Sequence, residues 1–214
     1  MKFDQLTDLF GKVPWFDMAA LSQMSGDSKG LLRLQMHEWS KAGKVIPLRR
    51  GIYALAEKHR HATLHAPLVA NVMYTPSYLS GLWALSFYGM IPEKTVTLTC
   101  VTTKATQTVE NAFGRFEYNR VKMAAFFGFA ARDLDGVKVW LADPEKAILD
   151  TWYLASGEWT KERQRQMRFQ QTGLIDSARL HDYAARFRSP RLLRAVAVWE
   201  RVMAEDADGT VEVV

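Results

Sequence analysis

The feature that most constrains the fold is a pair of short β-type runs separated by a basic turn. Residues 45–48 (VIPL) and 52–55 (IYAL) are rich in apolar and β-branched side chains. Arg49, Arg50 and Gly51 lie between the two runs and form a turn-like stretch. This pattern predicts a two-stranded hairpin whose tip carries two positive charges.

Three helical segments precede this hairpin, and the third carries the clearest pattern. Asp27 or Ser28 is placed to cap it, because their side-chain oxygens can accept the free backbone N–H groups of a first turn. Three apolar side chains share one face, namely Leu32, Met36 and Trp39. Leu31 and Leu34 widen that face. Three helices followed by a hairpin with a basic tip predict a winged helix-turn-helix over residues 1–58.

The polar side chains away from that apolar face are the predicted DNA contacts. In this module the third helix enters the major groove, and its N-terminal half reads base edges. The predicted groove-facing set is Ser28, Lys29, Arg33 and His37. The predicted wing contacts to phosphate or the minor groove are Arg49 and Arg50. Peripheral phosphate contacts are expected at Lys41 and Lys44. The alternative is a winged helix that makes only protein contacts, with its arginines in an ordinary solvated turn.

The positive charge of the chain is unevenly distributed. The formal net charge is +5. Residues 1–60 hold ten Lys and Arg against six Asp and Glu, residues 159–201 hold ten against four, and residues 61–158 are near neutral. Two basic segments on either side of a near-neutral middle favour different functions for the different parts of the chain. The basic block at residues 159–201 extends a DNA footprint, pairs with an acidic partner or forms a charged outer layer. The sequence leaves these three roles open.

The composition excludes several classes of protein. A hydrophobic content of 48% is too high for a disordered chain, and a single cysteine cannot form an internal disulfide. No run of about 18 apolar residues is present. The first residues lack the apolar core of a signal peptide. We therefore expect a cytoplasmic protein with no membrane contact, in which Cys100 is a buried structural thiol.

The middle of the sequence mixes both kinds of secondary structure. Hydrophobic periodicity predicts helices over residues 62–73 and 77–88, and strands over residues 95–102, 115–121 and 137–142. A further helix begins at Asp143, its predicted cap, followed by Pro144. We expect an α+β domain over residues 62–204, with a mostly antiparallel sheet and C-terminal helices. An acidic tail is expected over residues 205–214.

Several blocks of this middle region are similar, in order and spacing, to those of one family. They are residues 76–93 (PSYLSGLWALSFYGMIPE), 101–104 (VTTK), 113–116 (FGRF), 126–129 (FFGF) and 142–150 (ADPEKAILD). Together they resemble the AbiEi-type antitoxins of the abortive-infection AbiE system, a type IV toxin–antitoxin class. The hairpin sequence at residues 51–53 also fits the winged helix of that family. The extension at residues 159–214 has no counterpart in the pattern.

The resemblance implies a DNA-binding transcriptional autorepressor that serves as the antitoxin of such a system. Its winged helix would bind inverted repeats of double-stranded DNA in its own promoter, as a monomer or as a weak dimer that pairs on DNA. Its C-terminal domain would contribute to antitoxicity, and a nucleotidyltransferase-like toxin would be the usual partner without an obligatory stable complex. Two alternatives remain open, a solitary transcriptional regulator and a protein-interaction module without a toxin.

Three carboxylates and a lysine fall within residues 143–150. A metal-dependent nuclease would need paired acids and a lysine on adjacent strands, to hold a divalent ion and polarise water. Here Glu145 and Lys146 are neighbours on a predicted helix and point about 100° apart. A nuclease is therefore kept only as a third alternative. We expect no enzyme and no cofactor, and we interpret the histidines at residues 59, 61 and 65 as linker residues rather than metal ligands.

Overall fold

The computed structural model describes residues 1–207, and its N-terminal unit combines three helices with a small antiparallel sheet. The helices are α1 (Phe3–Phe10), α2 (Met18–Ser25) and α3 (Lys29–Lys41). The strands are β1 (Phe16–Asp17), β2 (Val45–Arg49) and β3 (Ile52–Leu55), in the order β1-β3-β2. A separate apolar cluster holds the unit together, and it contains Leu6, Phe10, Phe16, Leu21, Leu32, Met36, Val45 and Leu55.

The helix caps follow from local chemistry. The Asp17 carboxylate accepts the Ala20 N–H at 2.7 Å and begins α2. The Ser28 hydroxyl accepts the Leu31 N–H at 3.4 Å and begins α3. Asp27 is not the cap of α3, because its carboxylate accepts from the Met1 amino group at 2.6 Å. Each cap satisfies a backbone donor that the first turn leaves unpaired.

A larger body follows, built around a six-stranded mixed sheet in the order β6-β7-β5-β4-β9-β8. Its strands are β4 (Ser77–Leu79), β5 (Leu98–Thr102), β6 (Gln107–Asn111), β7 (Gly114–Arg120), β8 (Phe129–Leu134) and β9 (Val137–Ala142). The pairs β4–β9 and β5–β7 are parallel, and the other three pairs are antiparallel. The predicted α+β class is confirmed, with the sheet mixed in direction.

Six α-helices complete the described part of the body. They are α4 (Ala66–Met73), α5 (Gly81–Phe87), α6 (Pro144–Leu154), α7 (Lys161–Gln166), α8 (Ser177–Arg186) and α9 (Pro190–Ala207). Helix α4 contacts β4, β5 and β9, while α8 and α9 contact α6 and each other. None of the helices described for residues 1–207 has the length and apolar character needed to cross a bilayer. Of the predicted tail, residues 205–207 belong to α9, and residues 208–214 lie outside the described residues.

The predicted helix over residues 77–88 is wrong in its first part. Residues Ser77–Leu79 form strand β4, which pairs with β5 on one side and β9 on the other. All three side chains of this short strand are buried, so it shows no alternation that separates a strand from a buried helix. Helix α5 begins only at Gly81, whose φ of +61° suits a glycine at the change of direction.

Two strands at the edges of the sheet, β6 and β8, were not predicted. Both expose many of their side chains, because an edge strand has a neighbour on one side only. Neither sequence therefore shows a strong alternation of apolar residues. The central strand β5 shows such alternation, and it carries the buried Cys100, as predicted. Burial raises the pKa of the Cys100 thiol far above its ordinary value and keeps it protonated.

The N-terminal hairpin docks on the body through one of its faces. Leu48 and Ala54 belong to the apolar core of the body rather than to the cluster of the N-terminal unit. The Asn111 amide donates to the Leu48 carbonyl at 2.8 Å. The Arg49 guanidinium donates to the Met73 carbonyl at 2.7 Å. One side of the predicted wing is therefore occupied by the chain itself.

We predict unequal effects on stability from replacing the two hairpin arginines. Arg49→Met should lower the free energy of unfolding by about 1.5–3 kcal/mol, because a charged donor to a half-buried carbonyl is lost while the apolar stem is kept. Arg50→Met is the matched control and should change it by less than about 0.5 kcal/mol, because Arg50 is exposed. Urea denaturation followed by circular dichroism measures both, and equal losses would contradict the docking role of Arg49.

Candidate nucleic-acid interface

Helix α3 presents a basic row to solvent. Lys29, Arg33, His37 and Lys41 recur every four residues, and all four side chains are exposed. Residues four apart lie one above the other on a helix, so this row extends for about 18 Å along the axis. Leu32 and Met36, each three residues after a member of the row, lie on the neighbouring face and are buried. Ser28 is exposed at the start of the row, where its hydroxyl caps the helix. The structure thus brings five of the predicted contacts together on one surface.

Leu34 lies beside this row and was assigned to the wrong face. Its side chain is 60% exposed, and that of Leu31 is 44% exposed. Leu34 is two positions from Leu32 and from Met36, and residues two apart point to different sides of a helix. The spacing of Leu34 from Leu32 and Met36 therefore already indicated that its side chain is exposed. The exposed face of α3 also carries Glu38, whose negative charge lies toward the C-terminal half.

The two arginines predicted as wing contacts have different surroundings in the structure. The Arg49 guanidinium is bound to the Met73 carbonyl and lies 4.8 Å from the centre of the Tyr74 ring. Arg50 is exposed at the turn, next to Gly51 with its φ of +83°. Lys44 is half-buried, and its ammonium lies 4.7 Å from the centre of the Phe3 ring, at the margin of the basic surface.

The basic block at residues 159–201 is largely engaged within the chain. Several of its cations form ion pairs with carboxylates. Glu205 pairs with Lys161 and Arg165, Glu93 with Arg168, Asp176 with Arg179, and Glu158 with Arg194. Backbone carbonyls accept from Arg163, Arg191 and Arg201. The Arg186 guanidinium lies 3.8 Å from the centre of the Phe127 ring. Of the three roles left open for this block, these contacts favour the charged outer layer.

The acidic residues at the start of α6 have structural partners. Asp143 stands at the N-cap position, but its side chain makes no capping hydrogen bond, contrary to the prediction. It accepts instead from Arg132 at 3.0 Å and from the Tyr183 hydroxyl at 3.1 Å. Glu145 is buried and accepts the Asp176 N–H at 2.9 Å. Within residues 1–207, no group of three or more His, Cys, Asp or Glu side chains is arranged to hold a metal ion.

Lys146 and Asp150 form a fully buried ion pair one turn apart on α6. The other Asp150 oxygen accepts from the Ser80 hydroxyl at 2.7 Å and from the Tyr78 hydroxyl at 3.0 Å. The Lys146 ammonium lies 4.5 Å from the centre of the Phe187 ring. Burial lowers the pKa of Lys146, and burial together with the Asp150 charge raises that of Tyr78. Neither charge of the pair reaches solvent, so it cannot contact a substrate as the nuclease alternative requires.

Breaking this pair should be costly. Lys146→Met should lower the free energy of unfolding by about 3–5 kcal/mol, because Asp150 would become a buried charge without its counter-ion. Lys122→Met, at an exposed position, is the control and should change it by less than about 0.5 kcal/mol. Chemical denaturation measures the difference. A Lys146→Met loss no larger than that of the control would contradict a structural role for the pair.

Comparisons with known proteins add no family to this description. A scan against models of protein families gave no match for the chain, and a search of curated proteins gave no significant match. The interpretation of the α3 surface as a candidate nucleic-acid interface therefore depends on its own residues and on the resemblance of the sequence blocks to AbiEi-type antitoxins.

Proposed function

We propose that residues 1–58 form a winged helix-turn-helix that binds double-stranded DNA, and that the chain is a transcriptional autorepressor and antitoxin of AbiEi type. The observation that carries the proposal is the exposed basic row of α3, in a three-helix unit whose hairpin tip also bears an exposed arginine. Lysine and arginine side chains on one face neutralise phosphates and release counter-ions, which is the main source of affinity for DNA.

The dimensions of α3 suit the major groove. An α-helix of this kind is about 10–12 Å across with its side chains, and the groove is about 12 Å wide. The N-terminal half would meet base edges through Lys29 and Arg33, and a guanidinium can pair with both acceptors of a guanine. The exposed Leu34 offers an apolar surface for a thymine methyl group. His37 and Lys41 would then lie nearer the backbone.

The wing would contribute through a single arginine. Arg50 is free to contact phosphate or the minor groove, whereas Arg49 serves the docking of the hairpin on the body. A wing held by Leu48 and Arg49 is positioned before DNA arrives, so little ordering is needed on binding. Lys44 would add a peripheral phosphate contact.

The antitoxin role is supported by the sequence blocks alone, which resemble AbiEi-type antitoxins. Several of those residues build the core of the body, among them Tyr78, Ser80, Lys146 and Asp150. The solitary regulator keeps the same DNA-binding surface without a toxin. The interaction module would leave the basic row of α3 without a nucleic-acid ligand, so DNA binding separates it from the other two.

We predict that Arg33→Ala weakens binding to a duplex from the chain's own promoter region by about 5- to 150-fold, which corresponds to 1–3 kcal/mol for one base contact. Arg50→Ala should weaken it less and reduce the slope of log affinity against log salt by about 1, as for one lost phosphate contact. Fluorescence anisotropy with a labelled duplex measures both. Lys122→Ala, an exposed lysine on the body, is the control. Unchanged affinity in Arg33→Ala would contradict the groove assignment of α3.

The antitoxin role has its own test. If a gene for a nucleotidyltransferase-like protein adjoins this one, inducing that gene alone should arrest growth, and co-expression of this chain should restore it. Rescue by Arg33→Ala would assign antitoxicity to the body, because the variant retains the fold but not the DNA contact. Failure of the wild-type chain to rescue growth, with DNA binding intact, would favour the solitary regulator.

A further inference from the structure

A cavity lies where the N-terminal unit meets the body. It encloses about 440 Å³, which is within the range of small-molecule sites in proteins. We call it the junction pocket and define it by six of its lining residues, Trp15, Ser77, Phe126, Phe129, Lys138 and Trp140. Trp15 comes from the segment before β1, and the others come from the body. An occupant would therefore contact both parts of the chain.

The walls of the junction pocket are aromatic. The Phe126 and Phe129 rings lie 5.0 Å apart at 65°, and the Phe129 and Trp140 rings lie 5.9 Å apart at 85°. Tyr78 stacks behind Phe129 at 4.2 Å and holds that ring in place. Trp140 remains 50% exposed, although tryptophan is costly to leave in water. Such walls suit a flat, apolar ring system, because edge and face contacts are both available.

Ser77 carries a buried polar group in the wall of the junction pocket. The residue is only 5% exposed, and its hydroxyl oxygen has no hydrogen-bond partner among residues 1–207. Buried polar groups are nearly always paired, since an unpaired one costs free energy. Other polar lining groups are already engaged, because Asn71 bonds to the Trp140 backbone and the Thr75 hydroxyl to the Asn71 carbonyl. The Ser77 hydroxyl oxygen has almost no surface open to the cavity, so the aromatic walls and Lys138, rather than this hydroxyl, would recognise a ligand.

Lys138 gives the junction pocket a positive charge. It lies on β9 two residues before Trp140, on the same side of the strand, and its side chain is exposed. Asp133 faces it across the β8–β9 hairpin, but one Asp133 oxygen already accepts the Gly136 N–H at 2.9 Å. A ligand carboxylate at the mouth would meet the Lys138 ammonium while its ring stays among the aromatic walls.

We propose that the junction pocket binds a small planar aromatic carboxylate. Its ring packs against Phe126, Phe129 and Trp140, and its carboxylate pairs with Lys138. The site does not depend on the proposed DNA binding, since none of its defining residues belongs to α3 or to the hairpin tip. By contacting Trp15 as well as the body, the ligand would stabilise the docked arrangement.

Three probes of similar size that differ in charge or in ring system test this proposal on the full chain. Isothermal titration calorimetry should give saturable one-site binding of indole-3-acetate. Naphthalene-1-acetate, which also carries a carboxylate on a flat apolar ring system, should bind in the same saturable way. Tryptamine, which has the same ring and the opposite charge, should bind at least about tenfold more weakly than indole-3-acetate. No saturable binding of indole-3-acetate, or equal binding of tryptamine, would overturn the proposal.

Two variants locate the binding. Lys138→Gln should weaken indole-3-acetate about tenfold and leave neutral indole unchanged, while Lys122→Gln, an exposed lysine outside the pocket, should change neither. If Lys138→Gln binds indole-3-acetate as tightly as the wild-type chain, the assignment of the carboxylate is wrong.

Discussion

The buried ion pair between Lys146 and Asp150 is the constraint around which the body is organised. Two charges removed from water are tolerated only when their remaining hydrogen-bonding positions are filled. The hydroxyls of Tyr78 and Ser80 fill those of Asp150, and aromatic rings surround the ammonium of Lys146. This requirement fixes the register of α6 against β4 and against the start of α5. It also makes Tyr78 a fixed support for the ring of Phe129 in the wall of the junction pocket.

The docking of the hairpin on the body decides which charges of the N-terminal unit face outward. Leu48 enters the core of the body, and Arg49 is bound to the Met73 carbonyl. The row on α3 and Arg50 remain exposed. The same contact between unit and body creates the junction pocket beside Trp15. One interface therefore positions the proposed DNA-binding surface and forms the proposed ligand site.

Much of the local structure was predictable, because it depends on neighbours in sequence. The cap of α2 at Asp17 and the alternation of β5 required only short-range chemistry. The edge strands β6 and β8 were not predictable in this way, since their exposed side chains carry little apolar pattern. Strand β4 was mistaken for helix because burial on both faces removes its period. The exposure of Leu34 could have been predicted, because it lies two positions from the buried Leu32 and Met36 on α3.

The sequence by itself determined the α+β class, the capped third helix with its basic row, and the hairpin with a basic tip. Only the tertiary structure separated Arg49 from Arg50, because the difference lies in the Met73 carbonyl, which is 24 positions away in sequence. The tertiary structure alone turned the acids and lysine of residues 143–150 into a core network, and it alone left the Ser77 hydroxyl without a partner among residues 1–207. Hydrogen bonds and burial between distant segments decide these outcomes, and a local pattern of residue types does not contain them.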